Sequence, residues 1–244
     1  MKLNGNKILI TGATSGIGKA LTERFCELDN QITAIGRNEE KLQQLAQFDN
    51  QIVPFKCDIS LQSDFDRLVS FIDDEHKDLN ILINNAGIQY NCNLSDESYT
   101  LQHIEKEINT NLTAPIKLIK CLLPFLEMNS NSAIVNISSG LGIVPKAKSA
   151  VYCGTKAGIH IFSKSLRYQL PKVEVFEIIP PLVNTAMTKG RGKGKISPEK
   201  LVDEFIKAFE ADRYEVNIHK VKLLRLINRI SPKLADKIMK GATI

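Results

Sequence analysis

Residues 7–18 read KILITGATSGIG, a short apolar run that ends in a glycine-rich turn. The run Lys7–Thr11 predicts a buried β-strand, and the apolar spacing after the turn predicts a helix over 19–28. Glycine lets such a turn approach a pyrophosphate, whose charge is met by amides at the helix N-terminus. Gly12, Gly16 and Gly18 therefore indicate dinucleotide binding, with a merely flexible turn as the alternative interpretation.

The same alternation of strand and helix continues along the chain and is typical of an α/β protein. Further strands are predicted at 31–35, 51–56, 80–83, 133–137 and 173–179, with an edge strand at 215–219. Helices are predicted at 61–75, 103–126 and 151–170, and another begins at Ser197-Pro198. Ser60 is the predicted N-cap of the first of these helices. Asn109, Asn111 and Pro115 are predicted to disturb the second, because asparagine and proline disfavour a helix interior.

Length and composition fit one large globular domain or two small ones. The chain has 244 residues, of which 43% are apolar and 24% charged, and its net charge of +5 is too small to indicate nucleic-acid binding. The five cysteines include no C-x-x-C pair, so we expect reduced thiols and a cytoplasmic protein. The four histidines lack ligand spacing, so no metal site is expected. The sequence contains neither a recognisable signal peptide nor an apolar run of the ~20 residues that a spanning helix requires.

A candidate for acid–base chemistry lies in residues 139–156, which contain Tyr152-x-x-x-Lys156 with Ser139 thirteen residues before the tyrosine. On a helix the tyrosine and lysine lie one turn apart on the same face. A nearby ammonium stabilises a phenolate, so we expect the pKa of Tyr152 to fall from about 10 toward neutrality. Such a phenol can act as a general acid or base while Ser139 holds the substrate oxygen. The alternative is an amphipathic helix with a tyrosine on its polar face.

The end of the second strand indicates which dinucleotide is bound. It reads Gly36-Arg37, at the position where a dinucleotide fold meets the adenosine ribose. A cation without an acid there favours a 2′-phosphate, so NADP is expected and NAD is less favoured; the alternative is a solvated arginine. Asp58 can accept a hydrogen bond from the adenine amino group, or it can serve only as a local cap. The small residues of Asn85-Ala86-Gly87 would let a nucleotide lie against the backbone.

Two basic segments follow the sixth predicted strand. Residues 188–195 alternate glycine with cations, which is typical of a mobile lid over the cofactor or of a solvated loop. Residues 220–240 carry seven cations and one acid, with apolar residues at steps of three and four, and Pro232 is expected to divide them into two helices. A basic amphipathic helix can lie on an anionic membrane, but packing on the substrate cleft or on a partner subunit is favoured.

Together the motifs resemble the short-chain dehydrogenase/reductase family over roughly residues 5–190. The motifs that carry the resemblance are Thr11-Gly12-x-x-x-Gly16-x-Gly18, Asn84-Asn85-Ala86-Gly87, Asn111, Ser139 and Tyr152-x-x-x-Lys156. Residues 151–156 and 179–187 are most similar to the bacterial DltE-like subgroup. One departure is Pro180-Pro181, where the family usually has Pro-Gly, and the second proline stiffens the turn beside the nicotinamide.

The resemblance implies a single α/β domain over 1–244, a Rossmann-type doubly wound parallel sheet of about seven strands with helices on both faces. Within it, 186–218 would form a substrate lid and helix, and 219–244 a basic amphipathic extension. The implied activity is hydride transfer between NADP and a small carbonyl or alcohol substrate. The implied assembly is a homodimer or homotetramer, with no nucleic-acid partner.

The resemblance also assigns roles to single residues. Tyr152 would be the acid/base, Ser139 would orient the substrate oxygen, and Ser138 would not. Lys156 would lower the tyrosine pKa and hold the nicotinamide ribose, and Asn111 would support a water-mediated proton path to it. The implied cofactor contacts are Thr11, Gly12, Thr14, Ser15, Gly16, Ile17, Gly18, Arg37, Asp58, Ile59, Asn85, Ala86, Gly87, Tyr152, Lys156, Val183 and Thr185. Candidate apolar residues around the substrate are Ile88, Leu141, Ile143, Val144 and Leu182.

Two other functions fit the same motifs less well. A nucleotide-sensing or membrane-associated accessory protein could use a redox fold, and the basic C-terminal segment is its only support. A lyase or epimerase on this scaffold would need only the cofactor and Tyr152.

Overall fold

The computed structural model describes residues 1–240 and contains a seven-stranded sheet whose neighbouring strands are all parallel. The strands are β1 (Lys7–Thr11), β2 (Gln31–Gly36), β3 (Ile52–Lys56), β4 (Ile81–Asn84), β5 (Ser132–Ile137), β6 (Val173–Ile179) and β7 (Glu215–Asn217). Their order is β3-β2-β1-β4-β5-β6-β7. Because the winding direction reverses between β1 and β4, a crevice forms at the carboxyl ends of these strands. The prediction of a doubly wound parallel sheet is confirmed.

Helices cover both faces of the sheet, as predicted. They are α1 (Gly16–Glu27), α2 (Glu39–Ala46), α3 (Gln62–Glu75), α4 (Leu101–Ile108), α5 (Ala114–Met128), α6 (Ala150–Gln169), α7 (Pro198–Glu210), α8 (Lys220–Ile230) and α9 (Pro232–Lys240). Side chains of β1 alternate between the two cores. Ile8 and Ile10 pack in a cluster that contains Phe25 of α1 and Phe205 of α7. Leu9 packs in a second cluster, together with residues of α3, α5 and α6.

The long helix predicted at 103–126 is divided into α4 and α5 by a π-helical segment, Asn109–Thr113. The disturbance predicted at the asparagines is therefore confirmed. A π-turn widens the helix and often lies at a functional site. Here it contains Asn111, which is 1% exposed.

Several predicted helix ends need correction. The N-cap of α3 is Leu61, not Ser60, because the Ser60 hydroxyl donates to Asp58 in the preceding turn instead. Helix α2 was not predicted, although Asn38 caps it by accepting from the Lys41 amide at 2.8 Å. The N-cap predicted at Ser197 is confirmed, since its hydroxyl accepts from the Lys200 amide.

The C-terminal segment forms two helices, and the break predicted at Pro232 is confirmed. One face of this pair packs on the main domain as expected: Ala235 and Met239 lie in a buried cluster with Leu141, Val144 and Tyr152. Within residues 1–240, no helix is both long enough and apolar enough to cross a membrane.

Candidate active site

The turn between β1 and α1 is a glycine cradle. Gly12 and Gly16 have φ angles of +65° and +53°, a left-handed conformation that only glycine adopts without cost. A Cβ on Gly12 would lie 2.9 Å from Ala86 Cα, and one on Gly18 would lie 2.1 Å from the Gly12 carbonyl oxygen. The glycines therefore allow β1, α1 and the segment after β4 to approach more closely than any side chain would permit.

The N-terminus of α1 opens into the crevice. Its N-cap residue, Ser15, makes no side-chain capping hydrogen bond, and the first turn carries no acidic residue. The first amides of a helix lack partners inside the helix and attract anions. The backbone that follows β1 therefore fits a diphosphate group, as the sequence predicts.

The cleft above the carboxyl ends of the strands has a volume of about 250 Å³. It brings together most of the predicted cofactor contacts: Gly12, Thr14, Ser15, Gly16, Ile17, Arg37, Asp58, Ile59, Asn85, Ala86, Gly87, Tyr152, Lys156 and Thr185. Lining residues that the sequence reasoning missed are Ile35, Gly36, Cys57, Thr110, Ile137, Ser138, Pro180, Ala186 and Met187, most of which adjoin a predicted contact; Ile88, predicted only for the substrate pocket, also lines it. Five predicted catalytic or cofactor-binding residues lie outside this lining: Thr11, Gly18, Asn111, Ser139 and Val183. The substrate candidates outside it are Leu141, Ile143, Val144 and Leu182.

Thr11 supports the cleft from behind. Its side chain is 1% exposed, and its hydroxyl accepts from the amides of Asn85 and Ala86 at 3.0 and 3.1 Å. The Asn85 side chain donates in return to the carbonyls of Thr11 and Gly12. These bonds fix the ends of β1 and β4 relative to each other.

The end of the cleft beside the carboxyl ends of β2 and β3 carries one cation and one acid. Arg37 is exposed, and its guanidinium lies 3.7 Å from a carboxylate oxygen of Asp58. Burial acts to raise the pKa of Asp58, but hydrogen bonds from Ser60 and the charge of Arg37 together lower it below its usual value. Asp58 is therefore an ionised acceptor that also closes the turn before α3. A Cβ at Gly36 would lie 2.9 Å from the Thr14 methyl group, so any side chain there would require Thr14 to move.

Helix α6 carries Tyr152 and Lys156 into the other end of the cleft, where they are 9% and 5% exposed. The side chain of Ser139 lies close enough to the phenol of Tyr152 for a hydrogen bond that acts to lower its pKa, and the Ser139 oxygen accepts from the Leu141 amide at 3.1 Å. The neighbouring Ser138 hydroxyl donates instead to the Ile178 carbonyl, at 3.4 Å. Ser139 therefore acts on the phenol of Tyr152, whereas Ser138 lines the cleft, and the choice of Ser139 for the substrate oxygen stays a prediction.

The protonation of the pair differs from the expectation. Burial raises the pKa of Tyr152 to about 12, although the Ser139 hydrogen bond acts to lower it. Burial lowers the pKa of Lys156 to about 8, against the opposing charge of Glu177. The Lys156 ammonium donates to the Ile137 carbonyl at 2.7 Å and lies 5.8 Å from the Tyr152 ring centroid. The expectation of a lowered tyrosine pKa is therefore wrong for the protein alone, because both groups are buried and the ammonium is bound to the sheet.

Asn111 acts on the backbone that follows β4. Its amide oxygen accepts from the Ile88 amide, and its amide nitrogen donates to the Ile88 carbonyl, both at 2.8 Å. The nitrogen also lies 3.4 Å from the Thr155 hydroxyl on α6. The π-segment thereby joins the wall of the cleft to the helix that carries Tyr152.

A row of polar side chains, buried except for the half-buried Glu215, lies beneath α6. Asn84, Asn136, Glu177 and Glu215 are partners in register on the four neighbouring strands β4 to β7. The Asn84 amide donates to Asn136 at 2.9 Å, and Glu177 is fully buried. His160, one helical turn after Lys156, lies 2.9 Å from the Glu177 carboxylate.

The acidic end of this row could geometrically hold a metal ion, since ligand atoms of His160, Glu177 and Glu215 lie within 4.8 Å of one another. Two arginines already neutralise the acids: Arg167 lies 4.0 Å from Glu177, and Arg225 forms an ion pair with Glu215. We therefore interpret the cluster as an ion-pair network that ties α6 and α8 to β6 and β7.

Two cations of residues 188–195, the predicted lid or solvated loop, form hydrogen bonds with nearby residues. Arg191 donates to the Gln89 side chain at 2.6 Å and to the Met187 carbonyl, and Lys195 donates to the Thr188 carbonyl. The three glycines between residues 190 and 194 all have positive φ. Arg191 therefore ties the segment to the loop after β4, next to Ile88 and Met187, which line the cleft.

The fold, the glycine cradle and the Ser139–Tyr152–Lys156 group define a nucleotide-binding oxidoreductase of Rossmann type. The sequence pattern of the short chain dehydrogenase family matches residues 6–195, and the chain belongs to this family of enzymes. It is 36% identical over 233 residues to the uncharacterized oxidoreductase DltE of Bacillus subtilis, covering 92% of each chain. It is also 30% identical over 230 residues to an uncharacterized oxidoreductase of Staphylococcus epidermidis, covering 91% of this chain and 98% of the other.

Solved structures share the fold. A short chain dehydrogenase from Burkholderia cenocepacia in complex with NADP superposes with a TM-score of 0.87 at 24% identity, over 98% of this chain and 99% of that one. A short chain dehydrogenase/reductase from Burkholderia phymatum in complex with NAD gives a TM-score of 0.85 at 16% identity, over 100% and 98%.

Proposed function

We propose that the chain is an NADP-dependent oxidoreductase that transfers hydride between the nicotinamide and a carbonyl or alcohol substrate. The observation that carries the proposal is the group of Ser139, Tyr152 and Lys156 at one end of a cleft whose other end is the glycine cradle. The cofactor would supply the hydride. The protein's residues would supply position and the proton.

The raised pKa of Tyr152 sets its part in the reaction. At neutral pH the phenol is protonated, so it is ready to donate a proton to a substrate oxygen on which negative charge develops. Ser139, which lies within hydrogen-bonding distance of the phenol, would donate to the same oxygen. Lys156, with its pKa near 8, would be largely charged at neutral pH and would bind the nicotinamide ribose.

The proposed preference for NADP rests on the adenosine end. Arg37 is exposed and close enough to the cleft to meet a 2′-phosphate, and Gly36 places no acid there. Solved relatives carry NADP in some cases and NAD in others, so the choice has to be made from these residues. Asp58, which Arg37 faces at 3.7 Å, would then keep its role in the turn and at the adenine.

The substrate end is apolar. Leu141 and Val144 are buried beside Tyr152, and the C-terminal helices add Ala235 and Met239 to the same cluster. This surface favours a hydrophobic or mixed carbonyl compound. The lid of residues 186–218 would close the cleft over it.

We also propose that the enzyme works in the cytoplasm as a homodimer or homotetramer. The outer face of α6 exposes Ile161 and Tyr168, at 63% and 78%, which an apolar subunit contact would cover. Light scattering of the purified protein measures the assembly.

The experiment for the activity has two parts. Thermal unfolding with NADPH or NADH should show a larger rise in Tm with NADPH. A panel of ketones and aldehydes is then followed at the NADPH absorbance band, where turnover means net loss of the reduced cofactor. Turnover of a substrate with no net change in absorbance would support a lyase or epimerase instead, and stabilisation by NADH alone would contradict the role of Arg37.

A further inference from the structure

The outward face of α8 and α9 is apolar and exposed. Leu223, Leu226, Ile230, Leu234 and Ile238 are 59%, 54%, 76%, 48% and 46% exposed, and we call them the C-terminal ridge. They are five of the fourteen large apolar side chains that are exposed within residues 1–240, yet they lie within sixteen consecutive positions. The inward faces of the same helices fill the core beside Tyr152, so core packing does not explain the ridge.

Cations flank the ridge on both helices. Arg229, Lys233 and Lys237 are exposed and form no ion pair with the part of the chain that the structure describes. They differ from Lys222 and Arg225, which pair with Glu204 and Glu215. Helical spacing sets the three cations along the edge of the ridge, between its outward side and the protein.

An apolar stripe bordered by cations is the arrangement that binds a membrane surface. The apolar side chains enter the boundary between headgroups and acyl chains, and the cations meet anionic phosphates. Helices of 11 and 9 residues are too short to span a bilayer but can lie in its surface. We propose that the C-terminal ridge docks this enzyme on an anionic lipid membrane.

A second copy of the chain fits the ridge less well. A two-fold contact places the same patch against itself, so two patches that each carry Arg229, Lys233 and Lys237 would face each other, with Asp236 as the one acid of each segment 220–240. The ridge lies outside residues 6–195, which the family pattern matches.

Docking would set the orientation of the enzyme. The inward side of α8 and α9 contributes to the apolar end of the cleft, so the bilayer would lie next to the residues that surround Tyr152. The docking itself does not depend on the proposed activity, because it is carried by the ridge and its flanking cations.

The test is co-sedimentation of the full-length protein with vesicles. Binding is expected to vesicles of phosphatidylcholine mixed with phosphatidylglycerol, and it should weaken in high salt and on phosphatidylcholine alone. Leu226→Gln/Ile230→Gln should lower binding about tenfold or more, because two apolar side chains no longer enter the lipid. Arg229→Glu/Lys233→Glu should do the same through charge.

Matched controls lie elsewhere on the surface. Phe48→Gln/Met128→Gln removes two other exposed apolar side chains, and Lys120→Glu/Lys207→Glu makes the same change of net charge. Both should bind vesicles like the wild type, and thermal unfolding should show that all variants fold. Equal binding by the wild type and both ridge variants would overturn the proposal. If the wild type binds no vesicles and is a dimer in light scattering, while Leu226→Gln/Ile230→Gln is a monomer, the proposal is also overturned. The ridge would then be the contact with a second copy.

Discussion

The ammonium of Lys156 is hydrogen-bonded to the carbonyl of Ile137 at a distance of 2.7 Å. The bond joins α6 to the carboxyl end of β5 and holds the lysine over the cleft. The pKa of the Tyr152 phenol is raised by burial, and the nearby ammonium does not offset that effect. The spacing Tyr152-x-x-x-Lys156 therefore places the two side chains near each other, but it does not show that the ammonium binds the Ile137 carbonyl oxygen.

The lowered pKa of Lys156 should make the free energy of unfolding depend on pH. Its pKa is about 8 in the folded protein and 10.5 in its ordinary state, so the unfolded chain binds more protons between these values. The contribution of Lys156 to the free energy of unfolding should therefore rise as pH increases from about 8 to about 10.5. The buried cysteines and Tyr152 titrate in the opposite sense at high pH, so the measurement is the difference between wild type and Lys156→Met by urea unfolding. A difference that is flat across this range would contradict the lowered pKa.

Removing the charge of Glu177 should lower the pKa of Lys156. Glu177 raises the pKa of the lysine, so Glu177→Gln should move the alkaline limb of the pH–rate profile to lower pH. Glutamine keeps an acceptor for His160 while removing the charge. Glu174→Gln is the control, since Glu174 lies on the same strand but is exposed. Identical profiles for the wild type and Glu177→Gln would rule out the coupling.

Arg37 should decide between the two dinucleotides. Arg37→Ala should weaken NADPH binding by about tenfold to a hundredfold, the loss of a charge-assisted contact, and leave NADH binding unchanged. Lys56→Ala is a control, because Lys56 is exposed nearby but pairs with Glu39 at 3.0 Å. Calorimetry of both cofactors measures the effect. An equal loss for NADPH and NADH would mean that Arg37 does not meet the 2′-phosphate.

The glycine cradle offers a matched pair of alanine substitutions. A Cβ on Gly18 would lie 2.1 Å from the Gly12 carbonyl oxygen, so Gly18→Ala should lower Tm and abolish stabilisation by NADPH. A Cβ on Gly154 meets nothing within 4 Å, and its residue lies inside α6. Gly154→Ala should therefore stabilise the protein by about 0.5–1 kcal/mol. Thermal unfolding with and without NADPH measures both, and a neutral Gly18→Ala would contradict the close packing of the turn.

Features that depend on residue type and local spacing could be predicted from the sequence. The apolar strands, the glycine turn and the irregularity at Asn111 follow from residue type and spacing, and the structure agrees with each. The protonation of Tyr152 did not follow, because burial depends on what packs around the phenol. Helix α2 was missed although its Asn38 cap and two acidic first-turn residues are a readable signal.

The polar row beneath α6 could not be predicted from spacing. Asn136 and Glu177 come together only through the register of β5 and β6, which the sequence does not state. The same holds for the C-terminal helices. Their two helices and the break at Pro232 are visible in the pattern, but the contact of Met239 with the cluster around Tyr152 depends on tertiary packing.

The central claim is that Tyr152 supplies the proton in an NADPH-dependent reduction. The most direct test measures NADPH binding and turnover of Tyr152→Phe on a substrate found in the carbonyl screen, beside the wild type. We expect unchanged NADPH affinity and a loss of turnover of about a hundredfold or more, since phenylalanine keeps the ring and removes only the phenol hydroxyl. Turnover by Tyr152→Phe at the wild-type rate would contradict the claim.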